Sequence, residues 1–357
     1  MIKNHYLEIL PRIKPNEWKF MVSVTRAWTL RDVARISGLS VSTVHRILQK
    51  FYEKGSLYFL LDLKKANLLL LALIFPKLDI KEVPPFTVSI REVYNIGTYT
   101  LITALVPPPL VEKYIGWFNK EPVLVIRGYE YLRWRPDGGL SKYSAQFERV
   151  LPIFNFEVVR KRYSYPVERW SRGFTAPDIY DLILIHGRMR NPLARPMEIY
   201  KEVKARDPCL PKISEQLLSY HFTRHVKSMW KGNTAIVFSS MELVPVRIFY
   251  FEGKDAPIFA RILCQLPGAY TARIDVNKSL VIGQFPCKYD EYILREAETF
   301  EIEMPFKYFV QSSTDMRKII PWLWKCIEGR KWVFREELRI PIQTRKVKSL
   351  PVLSSYK

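Results

Sequence analysis

The sequence predicts an α+β fold built twice along one chain, each time as a winged helix-turn-helix domain followed by a small α+β domain. Three observations predict this class. Amphipathic helical patterns flank a glycine turn within residues 15–60, short apolar strands and helices follow them, and the same order recurs after residue 175. The length of 357 residues agrees, because single cores stop growing near about 250–300 residues.

The first helix-turn-helix begins with apolar residues at helical spacing. Trp18, Met21 and Val22 predict one buried helix face. Thr29 followed by Asp32 has the spacing of a capping box and predicts the start of a second helix. Gly38 predicts a tight turn after it, since glycine adopts a positive φ without steric cost. A wing strand is expected over residues 56–61.

The third helix of this unit is predicted to bind nucleic acid. Its apolar residues between Val44 and Phe51 recur at helical spacing, so hydroxyl, amide and cationic side chains lie on the opposite face. Such a face suits a major groove, where Ser42, Thr43 and Arg46 would meet bases and Lys50 and Lys54 phosphates. The predicted set is Ser42, Thr43, His45, Arg46, Gln49, Lys50 and Lys54. The alternative is a unit used only for packing or dimerisation.

Residues 66–136 are predicted to form a small α+β domain. The order is a buried strand over 68–75, a hairpin around Gly97, a proline-started helix over 108–118 and a last strand over 122–134. This order is typical of a ferredoxin-like fold. Pro76, Pro84 and Pro85 lie where its first helix belongs, which predicts that this helix is shortened.

The second copy is predicted to start with helices over 175–185, 194–204 and 213–231, and with a wing over 234–239. The outward face of the third helix gives a second predicted nucleic-acid set: Tyr220, His221, Arg224, Lys227 and Lys231. His221 and His225 have the i, i+4 spacing of a metal-binding helix, but no carboxylate or cysteine near them in sequence completes a site, so no metal is expected. A second ferredoxin-like order follows over 244–309.

These patterns divide the chain into six predicted segments. They are a winged helix-turn-helix (1–62), a ferredoxin-like domain (63–136), a basic and aromatic linker (137–174), a second winged helix-turn-helix (175–240), a second ferredoxin-like domain (241–312), and a helix with a basic tail (313–357). The last segment is predicted to contain a helix with Ile320, Trp322 and Trp324.

The net charge of +21 predicts a polyanionic partner. Basic residues exceed acidic ones by 10 to 4 in residues 1–60, by 14 to 7 in 161–240 and by 9 to 3 in 321–357. In the linker, cations lie among tyrosines and a tryptophan, a composition that suits irregular RNA. The predicted contacts outside the helices are Arg160, Lys161 and Arg162 in the linker, and Arg345, Lys346 and Lys348 in the tail.

This layout resembles the Lrp/AsnC family of feast-or-famine regulators, common in archaea, as two fused units over about 15–135 and 175–310. The turn "NIGTYT" at residues 95–100 is similar to the family's Gly-x-Tyr-Asp turn, with Thr100 in place of the usual Asp. Because of that departure, no amino-acid effector site is carried over. The resemblance implies dimerisation, so we expect a homodimer, or an internal pseudo-dimer of the two halves.

No enzymatic motif is present: neither a P-loop, nor G-x-G-x-x-G, nor G-x-S-x-G, nor H-E-x-x-H occurs. We therefore expect no enzyme and no cofactor. Four scattered cysteines without C-x-x-C spacing favour a cytoplasmic chain, and neither a signal peptide nor a membrane partner is expected.

Two functions remain open at this point. The favoured one is a DNA-binding transcription regulator, because the first helix-turn-helix is the most specific pattern. The alternative is a ribosome- or rRNA-binding factor that represses translation through ribosome hibernation, subunit dimerisation or anti-association, because charge in the linker and tail lies outside the groove-reading helices. A third, weaker option is a chromatin protein that binds without sequence preference.

Overall fold

The computed structural model describes residues 9–342, apart from the side chains of Thr314 and Asp315. Three helices form the N-terminal unit, as the sequence predicts. They are α1 (Pro15–Val24), α2 (Leu30–Ser37) and α3 (Val41–Lys54).

Local signals explain where α2 and α3 begin. The Thr29 hydroxyl accepts a hydrogen bond from the backbone N–H of Asp32, and the Asp32 carboxylate accepts one from the backbone N–H of Thr29. This capping box satisfies N–H groups that have no partner within the helix. Gly38 ends α2 with a φ of 70°, and Ser40 caps α3. The predicted helix-turn-helix is therefore present.

The chain then forms the strands of the first α+β half. Between the strands over 69–76 and 87–95 lies a two-residue strand over 82–83 and no helix, in agreement with the prolines there. The elements are β1 (Gly55–Leu61), α4 (Leu63–Ala66), β2 (Leu69–Pro76), β3 (Glu82–Val83), β4 (Thr87–Asn95), β5 (Gly97–Val106), α5 (Val111–Gly116), β6 (Leu124–Gly128) and β7 (Glu130–Leu132).

Residues 137–174 are more ordered than the predicted linker. They contain a hairpin of β8 (Ser141–Ser144) and β9 (Arg149–Pro152), followed by α6 (Glu157–Tyr163). Phe156 and Val159 are buried with the first helices, so this segment packs as part of the N-terminal core.

The second helical region departs from the predicted helix-turn-helix. It contains α7 (Ile179–Arg190), α8 (Pro196–Arg206) and α9 (Glu215–Tyr220). Eight residues separate α8 from α9, whereas three separate α2 from α3. The predicted helix over 213–231 is present over residues 215–229, but it is not a regular α-helix, because α9 gives way to a π-helical turn, His221–His225, and a 3₁₀ turn, Val226–Met229. The described chain thus shows one regular helix-turn-helix, not two.

The remaining elements form the second α+β half and the C-terminal segment. They are β10 (Trp230–Val237), β11 (Arg247–Glu252), α10 (Ala256–Leu263), β12 (Ala269–Ile274), β13 (Lys278–Gly283), α11 (Cys287–Ala297), β14 (Tyr308–Lys318), β15 (Ile327–Glu328), β16 (Lys331–Trp332) and β17 (Ile340–Pro341). The predicted helix after residue 316 is wrong: β14 extends to Lys318, and the described residues after it contain two 3₁₀ turns, Leu323–Lys325 and Glu336–Leu338, and no α-helix.

One antiparallel sheet joins the two halves. Its strand order is β6-β2-β5-β4-β14-β11-β13-β12-β7. Only Tyr129 separates β6 from β7, so the two outer strands are consecutive parts of one strand, and the sheet closes on itself as a barrel. In the first half, β2, β4, β5 and β6 are strands 1 to 4, and in the second half β11, β12, β13 and β14 are strands 1 to 4. With this numbering both halves have the order 4-1-3-2, which is the ferredoxin-like order. The halves therefore share one barrel.

A two-stranded ribbon connects the helix-turn-helix to this barrel. β1, which follows α3 directly, pairs antiparallel with β10, from Gly55 opposite Val237 to Leu61 opposite Trp230. Asn233 on β10 is fully buried and donates its side-chain amide to the carbonyls of Val24 and Ala27. The ribbon and α1 are thus fixed to one another.

Three apolar clusters form the core of the described residues. One joins α1–α3 to α10 and α11, a second packs α7–α9 on β2 and β5, and a third fills part of the barrel interior. Among the described helices, none is both long and apolar enough to cross a membrane.

Candidate nucleic-acid interface

The outward face of α3 carries most of the first predicted set. Ser42, Arg46 and Gln49 lie at i, i+4 and i+7 and are exposed, whereas Val44 and Phe51 are fully buried on the opposite side. His45 and Lys50 are exposed as well. Because residues at this spacing share one side of a helix, hydroxyl, guanidinium and amide groups point outward together.

The start of α3 is ordered by hydroxyl groups. The Ser40 side chain accepts a hydrogen bond from the backbone N–H of Thr43 at 3.2 Å and donates one to the Thr43 hydroxyl at 2.9 Å. The Ser42 hydroxyl lies 3.0 Å from the Ser40 hydroxyl. Ser42 and Thr43 therefore lie at the positive end of the helix dipole, where a phosphate is favoured.

Lys54 differs from the predicted phosphate contact. Its ammonium lies 2.8 Å from the Glu17 carboxylate and donates to the carbonyl oxygen of Arg12 at 3.1 Å. It therefore ties α3 to α1 and its charge is already paired. Lys50, one turn earlier and exposed, is better placed to meet a phosphate.

A close contact fixes the end of α3 on the ribbon. A methyl group added to Gly55 would lie 2.5 Å from the carbonyl oxygen of Ile236 and 2.8 Å from the Phe51 ring. Phe51 also packs on Phe20, with ring centroids 5.6 Å apart. The end of α3 is therefore packed closely against β10 and α1.

Four residues of the second predicted set are exposed and one is buried. Tyr220, Arg224, Lys227 and Lys231 are exposed, but His221 is buried and directed at Asp181. Its assignment as a nucleic-acid contact is therefore wrong, because its ring has no free outward face.

This second set borders the first helix-turn-helix. The Trp28 ring, just before α2, packs on Phe222 and Trp230 with centroid distances of 5.2 and 3.9 Å. The Lys227 ammonium lies 5.6 Å from the centre of the Trp28 ring. Lys227 is thus placed beside the start of α2 and does not belong to a separate recognition helix.

A cluster of two histidines and two aspartates lies beneath this set. Asp178 caps α7 through Oδ1, which accepts from the backbone N–H groups of Tyr180 and Asp181. His221 Nδ1 lies 3.2 Å from Asp178 Oδ2 and 3.0 Å from Asp181 Oδ1, and His225 Nδ1 lies 3.1 Å from that same Asp181 oxygen. Burial and the neighbouring Asp178 carboxylate raise the pKa of Asp181. Sequence reasoning missed this cluster, because its aspartates lie about forty residues before its histidines.

The basic linker contributes less free charge than its sequence suggests. Arg160 stacks over the Phe300 ring at 4.2 Å and lies 3.5 Å from the Asp255 carboxylate. Lys161 and Arg162 are exposed. The predicted contacts Arg345, Lys346 and Lys348 lie outside the described residues.

The set predicted from the sequence lacks two exposed cations of the helix-turn-helix. Arg31 and Arg35 lie at i, i+4 on α2, next to the turn that leads into α3. Arg35 makes one loose ion pair with Asp32 at 3.7 Å. Their helical spacing in the sequence was the signal that could have identified them.

The model of the IclR helix-turn-helix domain matches residues 24–59, which span α2, α3 and most of β1. No curated protein and no solved structure matches the chain. The match covers the exposed face of α3 described above. It identifies a DNA-binding helix-turn-helix and indicates a transcription regulator.

Proposed function

We propose that this helix-turn-helix regulator recognises a specific DNA sequence by laying α3 in the major groove. The observation that carries the proposal is the aligned, exposed set Ser42, Arg46 and Gln49 within the matched domain. α3 has 14 residues and is roughly 21 Å long, and the B-DNA major groove, about 12 Å wide, admits such a helix.

The side-chain chemistry of this face suits base reading. A guanidinium such as that of Arg46 donates two hydrogen bonds to guanine O6 and N7, and the amide of Gln49 matches adenine N6 and N7. These side chains are separated by one helical turn, so they reach neighbouring base pairs. We assign base contacts to Arg46 and Gln49, with Ser42 and Thr43 at the helix start.

Exposed cations around α3 supply the phosphate contacts in this proposal. Lys50 continues the outward face, Arg31 and Arg35 lie on α2, and Lys227 borders Trp28 at the start of α2. Such contacts position a protein on the duplex without reading sequence. They also account for part of the net charge of +21.

We further propose that the barrel is an internal duplication of an Lrp/AsnC-like regulatory unit. Support comes from the 4-1-3-2 strand order in both halves and from the antiparallel pairing of β1 with β10, each of which leads into one half. In this arrangement α7–α9 occupy the position of a second DNA-binding unit, but they lack a regular recognition helix. A homodimer would then supply two copies of α3 to one DNA site.

Selection from random DNA followed by footprinting tests the proposed function. We expect one enriched motif, protected at physiological salt, and weaker binding by an Arg46→Ala, Gln49→Ala variant. Gln146→Ala, at an exposed glutamine in the turn between β8 and β9, serves as a control and should select the same motif. Recovery of no enriched motif, together with preferential binding of ribosomal RNA, would refute the proposal.

A further inference from the structure

The barrel interior contains a cavity lined by cations. The cavity has a volume of about 180 Å³, and its described lining contains neither aspartate nor glutamate but four cations: Arg91, Arg133, Arg273 and Lys318. It lies at the end of the barrel next to β1, since Tyr58 and Leu61 of that strand also line it. The other end is filled by apolar side chains such as Ile74 and Ile248.

Several buried polar atoms of the lining side chains have no hydrogen-bond partner within the described protein. They are Nε and Nη1 of Arg273, Nε of Arg91 and Oγ1 of Thr271. Arg273 is only 4% exposed. Buried polar groups are nearly always satisfied, and a buried charge left unpaired is costly, so this set requires an explanation.

The other cations that line the cavity have no carboxylate partner among its described lining residues. Arg133 stacks over the Tyr58 ring at 3.6 Å, and Arg91 donates one hydrogen bond to the Gln311 side chain at 2.8 Å. Burial, together with the positive charge of Arg91, lowers the pKa of Arg273 to about 9, so this guanidinium stays charged at neutral pH. An anion in the cavity would neutralise these charges.

We propose that the barrel binds a small organic anion, with its carboxylate or phosphate against Arg273 and Arg91. Cavity size limits the ligand, because a cavity of about 150 Å³ in another protein accommodates one benzene molecule. Aromatic and aliphatic lining, from Tyr58 and Tyr270 to Leu105, suits an apolar portion of the ligand. The bound anion would contact β1, which continues from α3 through Gly55.

Calorimetric titration and thermal unfolding test this site with benzoate and inorganic phosphate as probes and benzyl alcohol as the neutral isostere. We expect one benzoate per chain, a thermal midpoint raised by several degrees, and no effect of benzyl alcohol. Arg273→Met and Arg91→Met should each weaken benzoate binding by about 100-fold, since each removes a charge that pairs with the anion. These readouts do not involve DNA, so their outcome is independent of the proposed function.

The thermal stability of the ligand-free variants shows whether Arg273 serves to bind an anion or to stabilise the fold. Without ligand, Arg273→Met should unfold at the same or a higher temperature, because the change removes an unpaired buried charge. The matched control is Arg261→Met: Arg261 is equally buried but bonded to Glu130 at 2.6 and 2.9 Å, so its loss should lower the midpoint. The proposal is overturned if Arg273→Met destabilises the ligand-free chain as strongly, or if benzoate and phosphate both leave the parent unchanged.

The histidine–aspartate cluster carries a second, independent inference. The ligand atoms of Asp178, Asp181, His221 and His225 all lie within 4.8 Å of one another. The four distances from the two Nδ1 atoms to Asp178 Oδ2 and Asp181 Oδ1 range from 3.0 to 3.9 Å. Tetrahedral coordination with metal–ligand bonds of about 2.0–2.1 Å gives ligand separations of about 3.3 Å.

Three features favour a metal here over a simple hydrogen-bonded network. Two carboxylates balance the charge of a divalent ion, and the Arg330 guanidinium also lies near them, 3.6 Å from Asp178 Oδ2. Both histidines lie in the π-helical turn, a rare geometry that is frequent at functional sites. A cavity of about 380 Å³, lined by Asp178, Asp181 and His225, gives an entry path. The geometry points to a tetrahedral Zn²⁺-type site that joins α7 to the π-helical turn.

Titration of the EDTA-treated full chain with Zn²⁺ tests this site. We expect one tight Zn²⁺ per chain, weakened about 100-fold in His225→Gln and unchanged in His45→Gln, an equal substitution on exposed α3. Co²⁺ bound there should show the intense visible absorption of tetrahedral coordination, lost in Asp181→Asn. Equal Zn²⁺ affinity in parent and His225→Gln, or octahedral Co²⁺ spectra, would overturn the assignment.

Discussion

Substituting Gly55 with alanine tests whether the recognition helix is fixed on the ribbon by backbone packing. The added methyl group would lie 2.5 Å from the carbonyl oxygen of Ile236 and 2.8 Å from the Phe51 ring. Carbon atoms of side chains are not found within 3.0 Å of such atoms, so β10 or α3 must shift by at least about 0.5 Å. Overpacking of this kind costs about 3 kcal/mol when backbone has to move.

The assay is chemical and thermal unfolding of full-length protein, with Gly116→Ala as the matched control. Gly116 ends α5, and a methyl group there would have no atom within 4 Å. Gly116→Ala should therefore be neutral or stabilise by about 0.5 kcal/mol, whereas Gly55→Ala should lower the free energy of unfolding by about 3 kcal/mol. If both variants unfold alike, the proposed contact between β1 and β10 is wrong.

Three further predictions concern the cap, the groove contact and a buried histidine. Thr29→Ala removes the α2 capping box and should destabilise the chain by about 1 kcal/mol in urea unfolding; no measurable loss would contradict the cap. Lys50→Ala should reduce the salt slope of DNA binding by about one, uniformly across sequences, and an unchanged slope would remove Lys50 from the phosphate contacts. Burial lowers the pKa of His186 to about 4, so the unfolded chain binds the proton first as pH falls. Stability should therefore decrease from about pH 6.5 to 4, by up to about 3 kcal/mol, and His186→Gln should flatten this part of the profile; parallel profiles would show that His186 does not cause it.

Local chemistry explains why the first helix-turn-helix could be predicted from sequence. Thr29, Asp32, Gly38 and Ser40 act within a few residues of where they stand, through caps and a left-handed turn. The positions of the strands along each half were also readable, because each strand is a short apolar run bounded by turns. Both predictions depend on interactions close in sequence.

The features that escaped prediction depend on contacts distant in sequence. β1 pairs with β10 across about 175 residues, and the barrel closes only because β6 continues into β7. The helix over residues 215–229 changes from α to π geometry where His221 and His225 meet Asp181, a partner on another helix. The cavity cations are also invisible in sequence, since Arg91 and Arg273 belong to different halves.

The site itself was predicted in part. The structure exposes Ser42, His45, Arg46, Gln49 and Lys50 together. Lys54 and His221 are used inside the protein, because each finds a carboxylate partner that helix periodicity does not reveal. Helical spacing therefore predicts which side chains point outward, but tertiary packing decides which of them remain available.

The most direct test of the central claim is the affinity ratio between a selected DNA motif and a scrambled duplex at physiological salt. If α3 reads the major groove, the parent should bind its motif at least about 1,000-fold more tightly than the scrambled duplex. Arg46→Ala with Gln49→Ala should remove most of that ratio and leave weak nonspecific binding. A parent that binds both duplexes equally, or a double variant that retains the full ratio, would contradict the account.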